Sequence, residues 1–334
     1  MKSNRYVGHY LSLQPWPWLV LSLLLLGIAT THSSISLRQV TYRYLFAVDI
    51  TQSMNVSDIE LNDVPATRLE FAKFAVATAF QELPCGSEVG LAIFAEHRTF
   101  VLFTPVEVCD HYRALNDMLE KVDWRIAWAA RSEVAKGLYS AIDAARQSDH
   151  DTRLVFLTDG HEAPPINNDI RPPFGGEPGS VAGFIGGIGS PVPSRIPHLD
   201  DNGNIVGYWS RDEVMQIDVY SLGRATTEQG EAMVGVNMAD VARRIALGQE
   251  HLSSLRENYL QELATQTGLD YLRIDSPSDF IRGLRQDAYA RRTPVVSDLG
   301  WIPATLAFVC LTYCFVLQPR AILRRQVYAT KIQL

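Results

Sequence analysis

Hydrophobic positions fall into two regimes. At both ends they run almost unbroken; between them, short all-apolar runs alternate with stripes of helical period. Residues 15–30 read PWPWLVLSLLLLGIAT, and no formal charge falls between Leu11 and Leu37. Residues 299–317 read LGWIPATLAFVCLTYCFVL, followed by Arg320, Arg324, Arg325 and Lys331. A bilayer span needs roughly 20 mostly apolar residues, with aromatic residues at its edges and basic residues behind it. The pattern therefore predicts two transmembrane helices, 15–34 and 299–317, with short tails 1–14 and 318–334. A cleaved signal peptide is the rival reading for the first, but Ala29-Thr30-Thr31-His32 fits a small-x-small cleavage site poorly. The basic tails place both ends in the cytoplasm and residues 36–293 outside it.

Within 36–293 the two periodicities alternate. Tyr44 to Val48 is a continuous apolar run closed by Asp49, as a strand buried on both faces requires. Arg68 to Leu83 carries a helical stripe of Leu69, Ala72, Ala75, Val76, Ala79, Phe80 and Leu83, ended by Pro84-Cys85-Gly86. Val89–Phe94 and Thr99–Phe103 predict a hairpin about a turn at Ala95–Arg98. Leu115–Val122 and Val134–Ala145 read as helices and Leu154–Leu157 as a buried strand. Further strands are expected near Val181–Ile188 and Met215–Leu222. The chain then predicts helix Leu252–Gln266, strand Leu269–Ile274 and helix Ser278–Arg291. Such alternation implies an α/β fold: a doubly wound, mostly parallel sheet with helices on both faces. Residues 164–211 are Gly/Pro-rich, a long insertion of the kind that carries function. Inside it, Asp201-Asn202-Gly203-Asn204 reads as a hairpin turn; the distal Glu of an EF-hand loop would fall on Trp209.

Composition narrows the classes. The 334 residues are 47% hydrophobic and 20% charged, a globular balance. A net charge of -7 gives no footprint for nucleic acid. Four cysteines are too few for a disulfide scaffold.

The candidate chemistry sits at strand ends, where open α/β sheets bind ligands. Asp49-Ile50-Thr51-Gln52-Ser53 puts one carboxylate and two hydroxyls at alternate positions, and Thr158-Asp159-Gly160 ends a second strand. These are hard oxygen donors suited to Mg²⁺ or Ca²⁺. Gly160 lets the backbone turn sharply there.

With these residues the chain resembles the von Willebrand factor A domain and its metal-ion-dependent adhesion site. That family's pattern is Asp-x-Ser-x-Ser, a separate Thr, and Thr-Asp-Gly. Asp49, Ser53 and Asp159 match it. Thr51 replaces the first Ser, and Ser132, in Arg131-Ser132-Glu133 before the Gly137-containing helix, stands where the separate Thr belongs. The resemblance implies a divalent cation on Asp49, Thr51, Ser53, Ser132 and Asp159, with a partner protein's carboxylate in the open position. A von Willebrand domain between two spans is also similar to the MoxR-associated bacterial proteins, some encoded with methanol oxidation genes. Residues 252–271 and Gly186–Ile196 carry that likeness. It implies a non-catalytic accessory factor in the cytoplasmic membrane, its domain in the periplasm, that helps mature methanol dehydrogenase or insert its calcium.

Other residues weigh less. Cys85 and Cys109 flank the predicted hairpin; a disulfide there fits an oxidising periplasm, and two free buried cysteines account for the sequence equally. Cys310 and Cys314 read as packing residues of the second span. His161 and Glu162 lack H-E-x-x-H spacing and read as surface loop polarity. Trp124, Trp128 and Trp209 read as packing or loop residues, one of them a candidate partner anchor. Two rival functions remain: a hydrolase or phosphotransferase using Asp49 as nucleophile, against which Thr51 occupies the place of a second Asp, and a structural membrane scaffold with a vestigial metal site.

Overall fold

The structure, a computed structural model, describes residues 16–31, 34–61, 63–127, 131–149, 151–165, 172–216 and 248–317. The chain divides into two compact units, one of residues 40–292 and one formed by the two ends, 1–39 and 293–334.

In the larger unit six of the described strands build the central sheet. They are β1 (Arg43–Asp49), β2 (Glu88–Ala95), β3 (Arg98–Glu107), β4 (Arg153–Thr158), β5 (Gly183–Gly187) and β6 (Asp270–Arg273). Their order is β6-β5-β4-β1-β2-β3, parallel except for the β2–β3 hairpin. The helices are α1 (Arg68–Glu82), α2 (Tyr112–Glu120), α3 (Val134–Ser148), α4 (Glu257–Thr267) and α5 (Pro277–Leu284). They cover both faces, as the alternating pattern predicts. Along β1, Tyr44, Phe46 and Val48 enter the core shared with α1, α2 and α5, whereas Leu45 and Ala47 enter the core under α3 and α4. Period-two alternation thus fills two cores from one all-apolar run.

The connections fix where a ligand can sit. From β1 the chain passes through α1 to β2 on one side, and later returns through α3 to β4 on the other. The crevice beyond the ends of β1 and β4 is therefore the topological switch point. The register pairs Val48 with Leu157, so Asp49 and Thr158 emerge side by side.

Several expectations shift at their edges. The helix expected over Leu252–Gln266 begins at Glu257, because Leu252 and Ser253 form a short strand against Ser194 and Arg195. The helix expected over Ser278–Arg291 stops at Leu284; a 3-10 turn, Asp287–Tyr289, and a strand, Arg291–Asp298, follow. Tyr289 turns inward there, stacking near Phe184 and donating to Asp270 at 2.5 Å, so core packing overrides continuation of the helix. A small hairpin, Ile59–Leu61 with Val64–Ala66, has no strong signal in the sequence. In the insertion, Pro197–Leu199 pairs with Ile205–Tyr208 about the expected turn. Most of the strand expected near Met215–Leu222 lies outside the described residues.

In the unit of the two ends, an apolar helix, Trp16–Thr31, packs on a second, Trp301–Thr312, which continues as a π-helix to Leu317. The Trp18 and Tyr313 rings lie 5.1 Å apart. Two transmembrane spans, expected over 15–34 and 299–317, are not seen: among the described residues no helix is long and apolar enough to cross a membrane. At about 1.5 Å per residue, the 16 residues of the first cover about 24 Å of a core roughly 30 Å thick.

Candidate functional site

The site grows from the way β1 ends. Beyond the ladder the chain bends back on itself: the Thr51 amide donates to Asp49 Oδ1 at 2.9 Å, and a 3-10 turn, Gln52–Asn55, follows. Asp49, Thr51 and Ser53 are all buried, and the Thr51 and Ser53 hydroxyl oxygens lie 3.4 Å apart. From β4, Thr158 donates its hydroxyl to Asp49 Oδ2 at 2.6 Å. Gly160, at φ +77°, turns the chain away. Ser132 arrives just before α3, held by a two-way backbone pairing with Ala163 at 2.8 Å in each direction. Thr51, Ser53 and Ser132 line one cavity of about 170 Å³. Ser132 Oγ is buried and has no hydrogen-bond partner among the described residues.

Asp159 is buried beside them, with both of its oxygens engaged. Oδ1 accepts from the His161 amide at 2.9 Å; Oδ2 accepts from Ser253 Oγ at 2.9 Å and from Arg68 Nη1. Arg68 is fully buried and holds the whole end of the sheet. It grips Asp58 with two hydrogen bonds, Nε to Oδ1 at 3.0 Å and Nη2 to Oδ2 at 2.6 Å, and donates to Ser253 Oγ at 2.7 Å. Its other acceptors are the Ser253 and Ser53 carbonyls. The reason it points there is local. Thr67 and Glu70 form a capping box, which starts α1 at Arg68 and so sets its side chain back over the helix N-terminus.

These charges shift one another. Burial, then the charge of Asp159, pushes the Asp49 carboxyl up to about 7, against the hydrogen bonds from Thr158 and Thr51. Burial would also raise Asp159, but the Arg68 guanidinium and the His161 amide reverse it and hold it below the usual carboxylate range. His161, buried near Asp159, is lowered to about 4 chiefly by burial and is neutral at pH 7. His161 and Glu162 are therefore not surface polarity. Glu162 Oε1 accepts from the Ala135 amide at 2.9 Å and from the Tyr259 hydroxyl at 2.5 Å, so it ties the first turn of α3 to α4. Burial raises it to about 7.

Residues 44–161, the stretch from β1 through the turn after β4, match the von Willebrand factor type A domain family. Over that stretch, about a third of the chain, the sequence is similar to a von Willebrand factor type A domain. Such domains generally mediate protein–protein interaction. Among curated proteins the chain is similar to a UPF0353 protein of Mycolicibacterium paratuberculosis (strain ATCC BAA-968 / K-10), 30% identical over 175 residues, 49% of this chain. The chain spans about half the length of that relative. Among solved structures it is similar to an aerotolerance-related membrane protein from Bacteroides fragilis NCTC 9343, at 17% identity and TM-score 0.45 over 74% of this chain and 98% of that one. It is also similar to the ArnB paralog VWA2 from Sulfolobus acidocaldarius, at 12% identity and TM-score 0.36, over 75% of this chain and 46% of that one.

The residues at this end of the sheet fit a divalent cation. Asp49, Thr51, Ser53 and Ser132 offer hard oxygens only, and the unpartnered Ser132 hydroxyl leaves one donor atom unaccounted for. Asp159 differs from the sequence expectation in its surroundings, because Arg68 and Ser253 already engage it. Arg68, Asp58 and Ser253 were not legible as site residues. Only the capping-box pattern Thr67-Arg68-Leu69-Glu70 marks where Arg68 stands, and it says nothing about the carboxylate that Arg68 meets. Cys85 and Cys109 are joined by a disulfide with Cα atoms 5.4 Å apart, tying the turn after α1 to the end of β3. Trp124 packs against the core; Trp128 lies outside the described residues.

Proposed function

We propose that the chain is a non-catalytic docking module that binds a protein partner over the carboxyl ends of its central sheet. In this reading Asp49, Thr51, Ser53 and Ser132 hold Mg²⁺ or Ca²⁺, with Asp159 behind them. The bound cation would supply positive charge with a position open to a partner's carboxylate. The observation that carries the reading is the buried Ser132 hydroxyl, without a partner among the described residues, in the same cavity as the Thr51 and Ser53 hydroxyls. A buried hydroxyl left alone costs about 1–3 kcal/mol, and a cation would satisfy it. Arg68 plays a distinct part: it neutralises Asp159, so the acid pair keeps its shape before any ligand arrives.

An enzyme using Asp49 as a nucleophile has less support. Thr51 stands in the place of the second Asp that such chemistry uses as general acid. The finer assignment rests on resemblance. Residues 186–196 and 252–271 resemble the accessory proteins MxaL and MxaC, which points to assembly of methanol dehydrogenase or insertion of its calcium. Placement of the domain in the periplasm, at the cytoplasmic membrane, is supported by the Cys85–Cys109 disulfide. The outward-facing Leu23, Leu24, Phe308 and Val309 of the two end helices also support it.

The test is calorimetric titration of the chain with MgCl₂ and with CaCl₂, alongside a tagged pull-down from membranes with and without chelator. Wild type should bind a cation, and Asp49→Ala and Ser132→Ala should bind it at least tenfold more weakly. If chelator leaves the retained proteins unchanged, docking through a cation is wrong. A phosphorylated Asp49 would favour the enzyme instead.

A further inference from the structure

The cavity at the hydroxyl cluster is not polar throughout. Besides Thr51, Ser53 and Ser132, the cavity is lined by an apolar wall: Ile196 and Trp209 of the long insertion and Val214 and Met215 just after it. The wall is built into the fold. Ile196 is buried and its carbonyl accepts the Trp209 amide at 3.1 Å. The Trp209 ring stacks on His198 of the hairpin, with centroids 4.5 Å apart and planes 20° from parallel. The hairpin therefore holds an indole beside the polar end of the sheet. Its buried Nε1–H has no acceptor among the described residues. A buried N–H without an acceptor is uncommon in a finished interior and points to an absent partner.

The polar rim limits what that partner can be. Two carboxylates line the cavity and both are engaged: Glu213 accepts from Ser210 N and Oγ at 2.9 and 2.7 Å, and Glu250 pairs with Arg256 at 3.6 Å. They repel an anion from the apolar wall. Arg131 and the hydroxyl cluster, which line the same cavity, favour one beside them. A ligand spanning the cavity is thus acidic at one end and apolar at the other, with a carbonyl for Trp209. A dry cavity of about 150 Å³ accepts benzene; the volume of about 170 Å³ here is shared with the hydroxyl cluster, so the wall seats the tip of one leucine-, methionine- or phenylalanine-sized group.

We infer that Ile196, Trp209, Val214 and Met215 form a specificity pocket for an apolar side chain of the partner, one or two residues from its docking carboxylate. This rests on the docking reading and adds the second half of the recognised motif. The hydroxyl cluster and the wall share one cavity of about 170 Å³, small enough for neighbouring residues of one peptide, about 3.8 Å apart, to reach both.

The experiment is selection of displayed random 12-residue peptides on the full chain with Mg²⁺, followed by fluorescence anisotropy of the enriched sequences. Enriched peptides should carry Asp or Glu with Leu, Met or Phe within two positions. Replacing that apolar residue by Gly should weaken binding about tenfold or more. Selection on Trp209→Ala and on Ile196→Ser, each checked for fold by circular dichroism, should keep the acid and lose the apolar preference. Trp209→Phe, which keeps the ring without the N–H, should retain it. Enrichment of acidic peptides with no apolar neighbour overturns the pocket and leaves docking standing. No acidic enrichment on wild type overturns docking and the pocket with it. Enrichment unchanged in both wall variants overturns the pocket alone.

Discussion

Replacing Arg68 by Met keeps most of the stem's apolar volume and removes the guanidinium. Asp159 would then keep the Ser253 hydroxyl and the His161 amide but lose its only buried cationic partner among the described residues, and Asp58 would lose its two-bond grip. Removing one partner of a buried pair strands the other, at a cost of about 3–5 kcal/mol. That is a fifth or more of a typical domain's stability of roughly 5–15 kcal/mol. Urea unfolding followed by tryptophan fluorescence reads it directly. The midpoint should fall with little change in slope, and the loss should be similar at low and high salt, since buried charges are poorly screened. Adding Asp159→Asn to Arg68→Met should restore part of the loss, with a coupling above about 1 kcal/mol. A loss below about 1 kcal/mol, or strict additivity of the two changes, would refute the view that Arg68 and Asp159 form one unit.

Further expectations follow from the same geometry. Glu162 rises from 4.5 in the unfolded chain to about 7 in the fold, so the folded state binds the extra proton between those values and stability falls as pH rises through that window. Glu162→Gln should match wild type near pH 4.5 and exceed it by up to about 3 kcal/mol at pH 8, measured as thermal or urea stability. A constant gap across the window would count against the assignment. Replacing Cys85 and Cys109 by Ser opens a loop with a sequence separation of 24 residues. The loss expected from chain entropy is about 3.5 kcal/mol, read from the denaturation midpoint; an unchanged midpoint would argue that the bridge carries no stability.

Periodicity alone identified the sheet and the polar loop above it. All-apolar runs ending in Asp49 and Thr158-Asp159 can lie only in a sheet covered on both faces, because their residues need burial in both directions. The helix stripes, the Asp201–Asn204 turn and the hydroxyl positions are equally local, and local patterns survive in one dimension. Charge pairing and burial, by contrast, emerge only when distant segments pack together. Arg68 meets Asp159 across 91 positions and Ser253 across 185, and no spacing rule connects them. His161 and Glu162 read as loop polarity because polar residues after a strand are usually solvated. Here the Ser132–Ala163 pairing and α4 close over them, which only the packed fold can reveal. The same holds for Trp209, an unremarkable aromatic residue in an insertion until the hairpin sets it against the end of the sheet.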